Sequence, residues 1–537
     1  MFISSVKPPI PLILAWALLA SGALAQNRSS IDLYGGGLIG ETTWVDIDNL
    51  RPQMPVFAAF GSSGGHNATL VNISGDLDDL LWVRDLYQGR FFYLGEADTS
   101  GALSYNLIIP DVPEMENANL YIQALTYDSS FSSGPDMFDS VSNLVLLKPS
   151  YEGEWRDHEE SLPAAAHQAY AIQMRTERGG ATKVLITGGG SALFQEAASK
   201  FETTDQAYEW DTTLQMMNPL PNMHEERAAH TATQLQDGRI LITGGMHYAG
   251  TDNAGYRTEV TDGVEIWNPE TWSFEQLPPM NEPRAFHQAV LLNDGRVLVL
   301  GGATGWGTNH VLHAFDQTVA SAIRSTEIWN PTTFQWTQGP NMPTTNIGCR
   351  AVKDPAGAIL VAGGINQQNQ VHPLVFRFDP QATYVQEVGQ MKAPRAFFSM
   401  VLLRDNRVFV AGGYEGDATN LFAIKSTELF DPQFQAFEFS TPLPEAIAMG
   451  TAVQGILGNN MVYITGGTNE NVGLVSGTTM MTFNPGNEST ASGRTSNQDH
   501  GGGIVIMVGN GAVGVVTGAG STPWGQAEGE SMAPMGD

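Results

Sequence analysis

The sequence contains little cysteine and few basic residues. Its 537 residues include one cysteine, Cys349, so no disulfide can form within the chain and a cysteine-rich zinc scaffold is excluded. Lys and Arg together number 26 against 56 Asp and Glu, which gives a formal net charge of −30. Nucleic acids and anionic membrane surfaces bind basic protein surfaces, so this balance argues against both kinds of partner.

Long hydrophobic runs are also scarce, and the run near the N-terminus is short. Lys7 precedes an apolar stretch that ends at Leu19, and the small residues up to Ala25 follow it. This order is typical of a secretory signal, and we predict residues 1–25 to be a signal peptide. An uncleaved anchor is less favoured because a membrane span needs about 20 apolar residues. We therefore expect a secreted, periplasmic or cell-surface protein with no span after cleavage, and the lack of disulfides favours a bacterial exterior.

Glycine, by contrast, is abundant, and its placement reveals an internal repeat. Six short apolar runs each end in a glycine pair, at nearly regular spacing, with first glycines at Gly188, Gly244, Gly301, Gly363, Gly412 and Gly466. A tight turn such as Asp237-Gly238 precedes the run, since Asp-Gly supplies the positive φ that a two-residue hairpin needs. An aromatic residue with Asn-Pro or Asp-Pro follows, as at Trp267-Asn268-Pro269. Each unit thus predicts four antiparallel strands, the architecture of a β-propeller blade.

The repeat also carries an Arg-x-x-His element at the start of its first strand, as in Arg227–His230 and Arg284–His287. With the glycine pair and the aromatic-Asn/Asp-Pro motif, this pattern resembles the kelch repeat over roughly residues 156–520. The resemblance implies an all-β, kelch-type β-propeller of the galactose-oxidase-like superfamily. It implies no single activity, because that fold serves both enzymes and binding proteins.

These signals divide the chain into four segments. After the signal peptide, residues 26–149 lack the repeat and alternate polar with apolar residues, which predicts a small β-sandwich. Residues 150–520 form the propeller, and residues 521–537 are predicted to be a flexible tail. Seven blades are favoured, with the last blade built from both ends of the repeat region, because this closure removes an exposed sheet edge. A ring of six blades is the alternative.

Chemistry is expected at one mouth of the propeller, where the Arg-x-x-His elements and the loops after the glycine pairs meet, and the long loops of the first three repeats make that sector the favoured one. Arginines there can bind a carboxylate, a sulfate or an acidic glycan, or hold an adjacent loop carbonyl. Aromatic and histidine residues in the loops can pack on sugar rings, or can pin the loops to the propeller. The candidate ligand-binding residues are Arg227, Arg284, Arg395, His247, Tyr248, Trp306 and His310.

The first-strand histidines His167, His230 and His287 come from consecutive repeats and are candidate ligands for a divalent metal. The alternative is that each holds a loop by hydrogen bonding. Galactose-oxidase-like enzymes carry a tyrosine directly before this histidine as a copper ligand. Phe286 and Ala229 stand at that place here, so a copper radical oxidase is disfavoured.

We therefore expect an exported binding module that holds a glycan or a protein at the propeller mouth and needs no cofactor. A metal-dependent enzyme and a structural cell-envelope protein are the alternatives. The charge balance and the repeat do not determine an oligomeric state.

Overall fold

The computed structural model describes residues 30–34, 42–48, 50, 52–64, 83–86, 92–108, 120–127, 138–141, 145–147, 155–162, 170–174, 183–190, 203–211, 216–252, 255–305, 320–455, 460–465, 467, 479–495, 504–507, 513–516 and 527–532. The predicted signal peptide lies outside these residues. The chain divides into two compact units, Met1–Ser150 and Tyr151–Asp537. In the described part, no helix is long and apolar enough to cross a membrane.

The first unit contains two antiparallel sheets. Its strands are β1 (Ser30–Tyr34), β2 (Thr42–Asp48), β3 (Pro55–Gly64), β4 (Val83–Leu86), β5 (Phe92–Glu96), β6 (Leu103–Ile108), β7 (Leu120–Tyr127), β8 (Phe138–Val141) and β9 (Val145–Leu147). Strands β1, β2 and β6 form one sheet, and the other six strands form the second. Residues of both sheets are buried, including Ile47 and Ala58. The packing of the two sheets as a sandwich stays a prediction.

The second unit begins with β10 (Trp155–Leu162) and continues with four-stranded antiparallel sheets. Sheet 1 contains β11 (Tyr170–Met174), β12 (Lys183–Thr187), β13 (Ala207–Asp211) and β14 (Met216–Pro219). Sheet 2 contains β15 (Thr231–Gln234), β16 (Ile240–Thr243), β19 (Val264–Asn268) and β20 (Ser273–Leu277), and its hairpin is β17 (Met246–Asp252) with β18 (Gly255–Val260). Sheet 3 contains β21 (Gln288–Leu291), β22 (Val297–Leu300), β23 (Thr326–Asn330) and β24 (Gln335–Gln338).

The remaining sheets repeat this plan. Sheet 4 contains β25 (Arg350–Lys353), β26 (Ile359–Ala362), β27 (Leu374–Phe378) and β28 (Val385–Gln390). Sheet 5 contains β29 (Ser399–Leu402), β30 (Val408–Ala411), β33 (Thr427–Asp431) and β34 (Ala436–Ser440), and its hairpin is β31 (Tyr414–Asp417) with β32 (Asn420–Ala423). Sheet 6 contains β35 (Thr451–Gln454), β36 (Val462–Thr465), β37 (Thr479–Asn484) and β38 (Ser489–Thr495). Sheet 7 joins β10 to β39 (Ile504–Met507), β40 (Val513–Val516) and β41 (Ala527–Met532).

The first strands of neighbouring sheets contact one another in a closed order, in which β39 of sheet 7 touches both β35 and β11. The sheets therefore form a ring. The second strands β16, β22, β26, β30 and β36 are buried along their whole length. Their apolar runs thus fill the space between sheets, and the all-β prediction is confirmed.

Sheet 7 differs from the sequence prediction at its C-terminal part. Residues 521–537 were predicted to be a flexible tail, but β41 lies within them and pairs with both β40 and β10. The strand was missed because its sequence, Ala527 to Met532, is polar and carries two glutamates. Its hydrogen-bonding partners on both sides, not an apolar pattern of its own, give it strand structure.

The glycine pairs are the points where neighbouring sheets meet. The second glycine donates its backbone N–H to the sheet that follows, as from Gly245 to the Arg284 carbonyl at 2.8 Å and from Gly364 to the Arg395 carbonyl at 2.8 Å. The first glycine has positive φ, and a Cβ on Gly244 would lie 2.3 Å from the Arg284 oxygen. A side chain at that position would separate the two sheets, which explains why glycine recurs there.

Candidate functional site

The mouth face of the propeller is the face where first and third strands begin and second and fourth strands end. The residue before each first-strand histidine position has a left-handed backbone, with φ values from 51° to 68° at Ala229, Phe286, Gly348, Phe397 and Met449. Some of these residues are linked by backbone bonds, as from Phe286 N–H to the Ala229 carbonyl at 3.0 Å. Their non-glycine side chains join one buried apolar cluster. The described centre of the mouth face is therefore packed with apolar side chains.

The three candidate arginines are buried, and their Nη atoms bind other parts of the protein. Arg395 is 0% exposed. It donates from Nη1 to the Gly412 and Ser426 carbonyls at 2.8 and 3.0 Å, and from Nη2 to Oε1 of Glu428 at 2.6 Å. The same carboxylate accepts the backbone N–H groups of Lys392 and Ala393. The arginine and the glutamate thus tie the start of the first strand to the third strand of one sheet.

The same arrangement recurs in sheets 2 and 3. Arg227 binds Glu265 at 2.7 Å and Arg284 binds Glu327 at 2.9 Å, and both arginines are 0% exposed. The structure therefore places Arg227, Arg284 and Arg395 inside the sheets, where their Nη atoms donate to carbonyls and carboxylates. The expectation that these arginines bind a ligand at the rim is corrected, because no ligand can reach them.

Sheet 4 lacks this ion pair and has two other residues in its place. Asn346 occupies the arginine position. Phe376 occupies the glutamate position, because it pairs with Val361 of the second strand as Glu265 pairs with Ile242 in sheet 2. Asn346 and Phe376 are both 0% exposed. The amide atoms of Asn346 have no hydrogen-bond partner among the described residues. Sheet 4 therefore lacks both the arginine and the glutamate, so neither charge is buried there without its partner.

The described histidines of the proposed metal set hold neighbouring sheets together. His230 Nε2 lies 2.9 Å from Oγ1 of Thr187 in sheet 1, and His287 Nε2 lies 3.0 Å from Oγ1 of Thr231 in sheet 2. No group of three His, Cys, Asp or Glu side chains suited to a metal occurs in the described ranges. His167 lies outside those ranges. The geometry therefore supports the alternative role, in which each histidine holds a loop or strand by hydrogen bonding.

Burial changes the ionisation of these groups. It lowers the pKa of His287 to about 3, and the positive charge of Arg284 adds to the effect. Burial and the nearby Arg227 also lower the pKa of His230 well below its usual range. The Cys349 thiol, at the histidine position of sheet 4, has its pKa raised to about 12 by burial. The imidazoles and the thiol are therefore uncharged at neutral pH.

The low pKa of His287 predicts loss of stability in acid. The unfolded chain takes up the proton near pH 6.5 but the folded chain only near pH 3. The free energy of unfolding therefore falls as pH falls through this window, by up to about 1.4 kcal/mol per pH unit for this group. We expect His287→Gln to show a shallower decline between pH 6 and pH 4 in urea denaturation. Parallel curves for the variant and the native chain would contradict this assignment.

A groove of about 680 Å³ opens on the mouth face between sheets 3 and 4. It runs from Gln338, at the end of the outer strand of sheet 3, to Gln367 and Gln368 in the loop after the glycine pair of sheet 4. The other lining residues are Glu282, Ala322, Ile323, Arg324, Ser325, Asn341, Pro343, Thr344 and Thr345. Side-chain amides and hydroxyls are prominent in the groove, in contrast to the apolar centre of the mouth face.

The sheet 4 side of the groove is a short, firmly held loop. Asn366 accepts the backbone N–H groups of Gln368 and Gln370 on Oδ1, at 3.0 and 3.1 Å. The N–H of Gln367 donates to Oγ1 of Thr345 at 2.8 Å. The loop is also bonded to the sheet 5 hairpin through the Ala418 N–H and the Asn369 carbonyl. The exposed side chains of Gln367 and Gln368 therefore stand on a fixed backbone.

The candidate loop residues fall elsewhere or outside the described structure. His247 and Tyr248 lie on β17 of sheet 2 and do not line the groove. Trp306 and His310 lie outside the described residues. Sequence reasoning missed Gln367 and Gln368 because it favoured the long loops of the first three repeats. The signal that marks them is the run of five amide residues from Asn366 to Gln370.

Comparison with known proteins agrees with this architecture. No family model matches the chain. The Kelch-like protein terF of Aspergillus terreus (strain NIH 2624 / FGSC A1156) is 27% identical over 251 residues, which cover 45% of this chain and 50% of that protein. The chain is similar to this Kelch-like protein over the matched region, and the comparisons support a kelch-repeat propeller. It spans about half the length of this curated relative.

Two solved structures are similar to this kelch-repeat propeller. A fungal alcohol oxidase of the AA5 family, in complex with copper, has a TM-score of 0.52 at 14% identity, over 71% of this chain and 76% of the oxidase. YjhT has a TM-score of 0.46 at 16% identity, over 62% of this chain and 99% of YjhT. At 14% identity the likeness to the oxidase shows the fold alone, so the chemistry must be judged from the residues present.

The described residues of this propeller do not fit a copper ion of the kind that galactose-oxidase-like enzymes hold. Phe286 and Ala229 offer no ligand atom at the positions before His287 and His230. The Nε2 atoms of both imidazoles are already engaged by threonine hydroxyls of the preceding sheet. We therefore derive no reaction step through copper.

Proposed function

We propose that this protein is an exported binding module that holds a glycan or a protein segment in the groove between sheets 3 and 4. The kelch-repeat propeller fold suggests a binding role. The observation that supports the site is the groove itself, which is polar and open beside a tightly packed apolar centre. Its volume falls within the range of about 300–1,000 Å³ typical of ligand pockets.

Export from the cell is proposed from the N-terminal sequence alone. The basic residue, apolar run and small residues up to Ala25 support secretion. The net charge of −30 fits a protein that stays soluble and unattached to nucleic acid. The proposed setting is outside the cell, where glycans and secreted proteins are both available as ligands.

A bulky residue in the groove tests the proposed site. Thr344 lines the groove beside Thr345, and we expect Thr344→Trp to block it and to weaken ligand binding at least about tenfold. The matched control is Thr332→Trp, in the exposed turn between β23 and β24 at the opposite end of the strands, which should bind normally. Both variants would be screened against panels of glycans and of secreted proteins by biolayer interferometry. Equal binding by the two variants would contradict the proposed site.

A further inference from the structure

The groove is lined by several side chains that each carry both hydrogen-bond donors and acceptors. Gln338, Asn341, Gln367 and Gln368 each present a primary amide, with one acceptor oxygen and two donor hydrogens. The hydroxyls of Thr344 and Thr345 can donate and accept as well. A ligand that satisfies this surface must carry many groups that both donate and accept hydrogen bonds, as neighbouring sugar hydroxyls do.

The groove is lined by one carboxylate, that of Glu282, and one guanidinium, that of Arg324, so its lining carries no net formal charge. The Glu282 carboxylate is bonded by Nη2 of Arg284 at 3.4 Å and by the Ser325 hydroxyl. Arg324 is the other ionised residue among those that line the groove. A polyanionic ligand would also approach a chain of net charge −30, which repels it over several ångströms at physiological salt. The electrostatics therefore favour a ligand without net charge.

The backbone that carries the two glutamines on the sheet 4 side is held in place before any ligand arrives. Asn366 fixes the backbone on both sides of Gln368, and Thr345 fixes the backbone of Gln367. Asn369 holds the left-handed conformation that closes the loop, with a φ of 64°. A fixed loop loses less conformational entropy on binding, so each amide bond contributes more to affinity and to selectivity.

We infer that the groove selects an uncharged oligosaccharide and that Gln367 and Gln368 are its specificity-determining residues. This inference rests on the proposed function, because it assigns the ligand class of the same groove. The two amides bond neighbouring hydroxyls of one sugar unit, and the threonine hydroxyls and Asn341 bond the rest of the chain.

The test uses the full secreted protein and defined probes. Neutral probes are mannotetraose and cellotetraose, the acidic probe is tetragalacturonic acid, and the peptide probe is an uncharged Gly-Ser decamer. Affinities are measured by isothermal titration calorimetry for the native chain, for Gln367→Ala with Gln368→Ala, and for Gln386→Ala. Gln386 is an exposed glutamine on β28 of the same sheet, so its variant controls for the loss of a surface amide.

The expected result is binding of a neutral tetrasaccharide that is about tenfold weaker in the double variant and unchanged in Gln386→Ala. Preference for tetragalacturonic acid or for the peptide overturns the inference, as does equal affinity of the double variant and the native chain. Failure of both neutral probes to bind the native chain overturns it as well. The proposed function is judged separately, since a peptide or acidic ligand that Thr344→Trp excludes would leave the groove as the site and reject only its ligand class.

Discussion

Replacement of Arg395 by methionine is expected to lower the free energy of unfolding by about 3–5 kcal/mol. The variant leaves the carboxylate of Glu428 buried without the guanidinium that now lies 2.6 Å from it, and both side chains are 0% exposed. It also removes the donors that serve the Gly412 and Ser426 carbonyls. Urea denaturation of the purified protein measures the loss. Lys392→Met, which removes an exposed pair with Glu438, is the control and should cost less than about 1 kcal/mol.

The propeller itself indicates how this loss can be reduced. In sheet 6, Ile447 stands at the arginine position, because its carbonyl accepts the N–H of a glycine pair as the Arg395 carbonyl does. Met481 stands at the glutamate position, because it pairs with Ile464 as Glu428 pairs with Val410. The double variant Arg395→Ile with Glu428→Met copies that natural pair. We expect it to cost less than the sum of the two single variants, with a coupling of about 1–3 kcal/mol. Additive losses would mean that the two charges do not stabilise each other.

Replacement of Gly244 by alanine is expected to destabilise the ring by about 3 kcal/mol or more. Gly244 has a φ of +61°, and its new Cβ would lie 2.3 Å from the Arg284 carbonyl oxygen and 2.9 Å from Cε1 of His287. The backbone strain and the collision with sheet 3 therefore act together. The thermal unfolding midpoint measures the effect.

The variant Gly238→Ala separates the backbone strain from the collision with sheet 3. Gly238 has a φ of +86° in the turn before the same strand, but a Cβ there would meet nothing within 4 Å. Gly238→Ala thus carries the backbone strain alone, about 1 kcal/mol. Equal losses at Gly238 and Gly244 would show that the close approach of sheet 3 contributes nothing.

The sequence determines the sheets more clearly than it determines the site. The six glycine pairs predict where second strands end, because a close approach between neighbouring sheets leaves no alternative to glycine. The Arg-x-x-His spacing predicts that arginines lie near the mouth face, but not whether their donors point to ligand or to protein. That choice depends on Glu265, Glu327 and Glu428, which come more than 30 residues later and meet the arginines only in the folded sheet.

The groove could not be predicted from the sequence, for a different reason. Loop length is a weak guide to function when a short loop is held rigidly, as the loop from Ile365 to His372 is by Asn366 and Thr345. The amide run in that loop is visible in the sequence. The position of these amides opposite Gln338 and Arg324 arises only when the ring forms, because the ring brings residues of sheets 3 and 4 to the same groove.

The ring also imposes an order on synthesis and folding. Strand β10 pairs with β41, so Trp155 reaches its partner Met532 only after nearly all of the propeller has been made. Sheets 1 to 6 are built from consecutive strands and can assemble as the chain emerges, whereas sheet 7 cannot. Contacts between such distant residues are slow to form, so a partly made propeller exposes the edges of β10 and of its last finished sheet. The chain is therefore most open to wrong pairing, to proteolysis and to chaperones in the interval before β41 arrives.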